Sequence, residues 1–463
     1  MLRRLLSHAP CLVLLIVVAL TTSPRAQAQT TGNGNVSGAN GVLIDAQGVL
    51  HLQHFPDPGG ALVKKRIAEA RAKLNPDVLK SSDLRKVSLN RLDAALRERL
   101  AAGQPITEEM GYLAGLTRVH YVFFYPDTHD IVLAGPAEGW VADASGRIVG
   151  IDSGRPALQL QDLAVALRAY PAGQQKIKPI LCSIDPTTEG LARLQQFWQS
   201  IGREISPADT EMIVNGMRTS LGMQNVRIGG IPANTHFAQV LLECDYRMKL
   251  IGIGMEAPPV KMASYVDRAR PSSKTNALER WFFVPDENCV RVAADSLGLE
   301  LTGDRVKLVT ENQVVAKDGS RGTSGKRNKA SELFCTAFTT KYAEIAARLP
   351  VFAEMRNVID LAIASAFINQ QDFYAQADWR GGTLLDEKAV PVETYNTPLH
   401  VESVCTAVFK GNQLMTPVGG GVTIRPADSL RTSNLLPDED GNVTAVRESI
   451  DLKDLPADRW WWD

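Results

Sequence analysis

The run Pro126-Asp127-Thr128-His129-Asp130 sets two carboxylates and an imidazole within a few positions of one another. Such groups could hold a metal that accepts nitrogen and oxygen ligands, or could pass protons between them. Asp127, His129 and Asp130 are therefore the catalytic candidates of this chain. Asp and His are also common turn formers, so the same residues suit a polar hairpin tip, and that plainer reading carries more weight. His51, His54 and Asp57 make a second grouping, but residues three apart on a strand point to opposite faces, which works against convergence. Cys335 stands near the start of an amphipathic stretch, where a helix N-terminus can lower a thiol's pKa. Its spacing with Phe338, Tyr342, Ile345 and Leu349 nevertheless puts it on an apolar stripe, where cysteine packs as a small hydrophobe.

Two glycine-containing runs invite a phosphate or oxyanion reading. In RIGGIPANTH the glycines separate an apolar run from a helical pattern, but their spacing matches neither the dinucleotide fingerprint nor the phosphate loop, and a tight turn fits better. In MTPVGGGVTI, Gly419 to Gly421 come without a nucleophile elbow, which favours a bulged or flexible strand entry over an oxyanion hole. Trp460, Trp461 and Trp462 could recognise carbohydrate or protein, or could pin the chain end into a groove. The sequence holds no H-E-x-x-H, no phosphate-loop lysine and no cysteine pair at zinc spacing. No metal or cofactor is expected.

These residues must be positioned by a chain of 463 residues, long enough for two or three structural units. The residues 29–40 are rich in Gly, Asn, Ser and Thr and read as a flexible leader. D-A-Q-G and D-A-S-G each sit between apolar runs and read as hairpin turns, with helical spacing over 62–74 and 84–100 between them. Two apolar runs flanking P-D-T-H-D make a third hairpin. From residue 176 the order becomes strand, loop, helix, twice, with Thr187 or Thr188 capping the first helix and Asn234 the second. Strands return up to about residue 315. A Gly/Ser/Lys stretch at 316–330 reads as a linker, and 331–349 with 350–370 as an αα-hairpin whose second helix starts on Pro350. Glu354, Arg356 and Asp360 interrupt that apolar helix, which suits a core helix better than a membrane span. The fold class is α+β: hairpin-rich β units, an embedded α/β layer and a C-terminal αα-hairpin. The divisions fall at 41–175, 176–315 and 331–430, with a tail over 431–463.

Arg3 and Arg4 precede an apolar run over 11–20, followed by small residues at Ala26 and Ala28, which is the pattern of a signal peptide cleaved after Ala28. Cleavage removes three of the 50 basic residues and none of the 51 acidic ones, leaving a mature net charge of −4. That balance offers no footprint for nucleic acid. Five cysteines remain, Cys182, Cys244, Cys289, Cys335 and Cys405, an odd number at wide spacings that leaves disulfide formation open.

The runs GLTRVHYVFFYPDTHDIVLAGPAEGW, LCSIDPTTEGL, VRIGGIPANTHFAQVLLECDYRMKLIGIGME, KYAEIAARLPVFAEMRNVIDLAIASAFI and VETYNTPLHVESVCTAVFKGNQLMTPVGGGVTI resemble a family of exported bacterial proteins classed only as a domain of unknown function. The resemblance spans about 41–426 and implies shared architecture and export, without a reaction or site residues. The expected role is a non-enzymatic binding or scaffolding component of the periplasm or cell envelope. Its partner would be an envelope protein or a polysaccharide, and the mature chain would have no transmembrane segment. The alternative is a secreted hydrolase using carboxylates or the Asp127, His129 and Asp130 cluster. N-terminal sequencing of the protein recovered from a bacterial periplasm is expected to begin at Gln29; a chain that keeps Met1 would refute the export reading.

Overall fold

The computed structural model describes residues 41–201, 206–269, 277–323, 325, 327–407, 418–450, 452, 455–456 and 458–463. The stretches read as signal peptide and leader, 1–40, lie outside the described residues. At the centre runs the helix Pro350–Gln370, in which every residue from Val351 to Ile368 is buried. Proline opens it at a position whose N–H needs no partner, and an all-round apolar surface is what a helix enclosed by protein requires. Its three charged residues are buried too, and each is matched from another part of the chain. Glu354 meets Arg147 Nε at 2.7 Å, Arg356 meets Asp304 at 3.0 Å, and Asp360 meets Arg305 at 3.1 Å and Arg118 at 3.3 Å. Among the described residues no helix is long and apolar enough to cross a membrane.

Around this helix the fold is α+β, with mixed sheets. A nine-stranded sheet runs, edge to edge, through Val42–Ile44, Val49–Leu52, His400–Glu402, Met223–Gly229, Ile180–Asp185, Val418–Ile424, Ala277–Pro285, Val306–Val315 and Arg321–Thr323. A seven-stranded sheet runs through Leu436–Pro437, Val290–Val292, Gly298–Leu301, Tyr121–Tyr125, Asp130–Ala137, Ser82–Ser88 and Trp461–Trp462. The helix His236–Gly252 contacts strands Ile180–Asp185 and Val418–Ile424 as well as the central helix, and so joins sheet to core.

Both D-x-x-G turns form as the spacing predicts. Gly48 and Gly146 take positive φ, and Asp45 and Asp143 accept the closing backbone bonds. In the embedded layer the strands Ile180–Asp185 and Met223–Gly229 are antiparallel neighbours. Helices Thr188–Ser200 and Thr210–Leu221 pack on each other between them, and such a pair returns the chain to the end of the sheet it left. Thr235 caps the helix after the second strand, one residue later than Asn234.

The stretch 84–100 is not helical throughout. Its first residues belong to the strand Ser82–Ser88, held on one side by Asp130–Ala137 and on the other by Trp461–Trp462, and the helix Leu89–Ala101 begins only once the Ser88 side chain caps it. The stretch expected as a linker turns at Gly319 and returns as the edge strand Arg321–Thr323. The nine-stranded sheet draws on all three divisions read from the sequence, and the described residues fall into one compact unit. Hydrogen-bonding strands far apart in sequence merge what local composition separates.

The glycine-rich strand owes its composition to crowding. A Cβ at Gly420, where φ is 125°, would run into the Trp281 backbone, and one at Gly421 into Cys182 O. Lys249 Nζ donates to Ile184 O at 2.9 Å and to Gly420 O at 3.2 Å, and meets Asp245 at 2.8 Å. Gly419 to Gly421 thus lie in a strand interior paired in continuous register, without the bulge their composition suggests, and form no oxyanion hole.

Burial pushes the Asp360 carboxyl up to about 6 in spite of the Arg118 and Arg356 charges, so its ionisation carries a cost that the pairing offsets only in part. Removing the carboxylate is costlier still, because Arg305 and Arg118 would remain charged and buried. Asp360→Ala is expected to lower unfolding free energy by about 3–5 kcal/mol, measured by urea denaturation. A loss below about 1 kcal/mol would show that these cations find other partners.

Candidate functional site

The residues singled out for chemistry go to separate places. Asp130 is buried and accepts from Ser88 Oγ and from Arg91 Nε at 3.1 Å, which ties the start of its strand to the helix Leu89–Ala101. His129 sits at the exposed hairpin tip with φ 57°, and its Nδ1 donates to Gln376 O at 2.9 Å. Asp127 lies on the rim of a different hollow, beside Arg447 and Glu448. His51 pairs with Asp45 at 3.1 Å, while Asp57 accepts from the amides of Leu62 and Val63 at the start of a helix. Among the described residues no group of three or more His, Cys, Asp or Glu could hold a metal ion.

The thiols are packing residues. All five of Cys182, Cys244, Cys289, Cys335 and Cys405 are buried and unbridged. Burial pushes Cys335 up and takes Cys289 and Cys405 to about 12, far from the thiolate that nucleophilic attack needs. Trp460, Trp461 and Trp462 are buried as well. Trp461 and Trp462 pair with Val87 and Lys86, and the Arg85 guanidinium stacks 4.7 Å from the Trp461 ring while its Nε donates to Asp463 at 2.8 Å. A glycan would need open ring faces, and here the rings close the edge of a sheet.

A different set of residues does converge. His236 is the first residue of its helix, just after the Thr235 cap, and is 3 % exposed. Asp162 comes from the first turn of the helix Leu160–Ala169, Arg147 from the hairpin of Trp140–Ala142 and Ile148–Gly150, and Glu354 from the central helix. His236 Nδ1 is held by both Asp162 oxygens, at 3.1 and 2.9 Å, and its Nε2 lies 4.0 Å from Glu354 Oε1. Arg147 bridges Glu354 at 2.7 Å and Glu243 at 2.8 Å. Arg247 continues the chain from Glu243 at 2.9 Å to Glu256 at 2.7 Å.

Helix N-termini disfavour cations, and so does burial. Burial would lower the His236 pKa, yet the charge and hydrogen bonds of Asp162, helped by Glu354, outweigh it and push the imidazole up to about 9. His236 is therefore an imidazolium at neutral pH. Glu354 is pushed up by burial, against the pull of Arg147 and His236.

His236 forms the inner wall of a hollow of about 430 Å³ that reaches solvent. One rim is the short helix Glu108–Gly111 with its caps Thr107 and Tyr112, another is Gln159 and Gln161, and a third is the segment Val390 to Tyr395. That segment is pinned beside the imidazole: Tyr395 N donates to Asn234 O at 2.8 Å, and Glu393 N donates to Gln161 Oε1 at 3.2 Å. RIGGIPANTH, considered as an anion cradle, supplies this histidine as its last residue. Its Gly230, at φ 86°, makes the tight turn.

The sequence marks Glu354 only as a charge interrupting an apolar helix and does not mark Asp162 or His236, because the three lie 74 and 118 positions apart in the chain and no motif links them. The signal that could have found them is a charge inside an apolar helical run, visible in LQDLAVAL and in VFAEMRNVIDL.

Residues 182–265 match a family model described as a protein of unknown function, DUF1598. The match covers His236 and Glu243 but neither Asp162 nor Glu354, so it takes in one wall of the site. No curated protein and no solved structure matches the chain.

A histidine whose folded pKa of about 9 exceeds the usual unfolded value of about 6.5 adds stability fully below pH 6.5 and loses it as pH rises through 9. Between pH 6 and pH 10 the protein should lose roughly 3 kcal/mol that the His236→Gln variant does not lose. Urea midpoints at the two pH values test this, and equal losses in both proteins would contradict it.

Proposed function

We propose that the protein is an exported, non-enzymatic binding component of the periplasm or cell envelope, and that its ligand site is the hollow beside His236. The export reading rests on the N-terminal sequence. The binding reading is carried by one observation: a solvent-reachable hollow whose polar inner wall is locked from behind, with His236 fixed by Asp162 and the segment Val390 to Tyr395 fixed to Asn234 and Gln161. Side chains held in this way lose little freedom when a ligand arrives, which is what preorganised recognition requires. Amide groups, carboxylates and tyrosine rings around an opening of this size suit a polar small molecule or the end of an envelope polysaccharide.

A second reading is favoured by the Asp162–His236 pair itself, since a carboxylate holding Nδ1 is how many enzymes orient an imidazole. Here His236 is protonated at neutral pH and could serve as an acid toward a leaving group. Glu393 would be the second carboxylate of a hydrolase.

The two readings separate by experiment. Ile148, half-buried, also lines the hollow, so retention of soluble envelope glycan fragments by the immobilised protein is expected and should fall about tenfold in Ile148→Trp, whose larger side chain fills the space, with circular dichroism checking that the fold is kept. Turnover of model glycosides, esters or phosphoesters that disappears in His236→Gln would replace the binding reading with the hydrolase.

A further inference from the structure

We infer that the hollow beside His236 selects ligands carrying a charged amine, a conclusion that rests on the binding reading and narrows it. The argument is a balance of charges around one opening. The floor cation, His236, is already matched by Asp162 at 2.9 Å, and Arg147 below it is shared between Glu354 and Glu243. Those pairs leave no positive charge to spare toward the opening. On the rim stand two carboxylates, Glu108 and Glu393. Lys73 reaches Glu108 at 3.2 Å, but both partners are more than half exposed and such surface pairs are weak. Glu393 accepts from the Tyr395 hydroxyl at 2.7 Å, a neutral partner that orients the carboxylate without cancelling its charge.

The same negative field registers on the two phenols that line the opening. Burial raises the pKa of Tyr112, and Glu108 and Glu393 raise it further; burial raises Tyr395, and Glu393, Asp162 and Glu354 add to it. Tyr112, Tyr395, Glu108 and Glu393 line one hollow and so can act on one bound ligand. An ammonium group in this space would gain the Glu393 carboxylate and the electron-rich faces of Tyr112 and Tyr395, while the amides of Gln159 and Gln161 could meet neighbouring hydroxyls. An anion would face the rim carboxylates and find the imidazolium taken.

The test compares two tetrasaccharides that differ only at the amino group, free and charged in the glucosamine tetramer and acetylated and neutral in the N-acetylglucosamine tetramer. Binding is measured calorimetrically to the mature full chain at about pH 6, where the sugar amines are protonated. The free-amine tetramer is expected to bind roughly five- to tenfold tighter. Glu393→Gln, a change at an exposed side chain, should erase that preference, and added salt should shrink it. Equal or tighter binding of the acetylated sugar overturns the inference, as does a preference that survives both Glu393→Gln and high salt. If neither tetramer binds while envelope fragments are still retained in an Ile148-dependent way, this inference falls alone. If retention is absent too, the binding reading falls with it.

Discussion

A charged side chain sealed inside protein must find an opposite charge, and that single requirement organises this molecule. The helix Pro350–Gln370 carries Glu354, Arg356 and Asp360 into the interior, and together they draw in three distant parts of the chain. Arg147 comes from a hairpin, Asp304 and Arg305 from a turn between strands, and Arg118 from the approach to the seven-stranded sheet. Hydrophobic burial supplies the bulk of the driving force but has no direction, whereas these pairs accept few geometries. They determine which segments face which side of the core.

The hollow inherits its character from the same constraint. Glu354 needs Arg147, Arg147 also takes Glu243, and His236 stays charged because Asp162 lies at its Nδ1. An internal ion network thus ends at a solvent-reachable surface with an imidazolium whose proton is hard to remove. The rim differs from the floor: its carboxylates are exposed, and water weakens but does not cancel their field. A structural network and the lining of a solvent-reachable hollow share one histidine.

Much of the fold was legible because it is written locally. D-x-x-G turns, Thr187 as a cap, Pro350 at a helix start and the apolar stripe through Cys335 each depend on neighbours a few residues away. The strand Ser82–Ser88 was hidden because its neighbours lie at 130–137 and 461–462, and its own residues also fit a helical period. The divisions at 175, 316 and 331 followed changes in composition, while the nine-stranded sheet crosses all of them. The site was the least legible part. The Asp127, His129 and Asp130 cluster was conspicuous because its members are adjacent in sequence, yet Asp130 is spent on Ser88 and Arg91, His129 sits in the turn, and Asp127 lies apart beside Arg447. Asp162, His236 and Glu354 meet only after three helices have packed.

One arrangement bears on how the chain reaches this state. Arg85 finds its carboxylate partner at Asp463, 378 positions onward, and the backbone of Ser82–Ser88 gains its second neighbour from Trp461 and Trp462. Until residues 461–463 dock, that strand presents bare amides and carbonyls beside a guanidinium without its carboxylate partner, and the incompletely folded chain carries an adhesive border there.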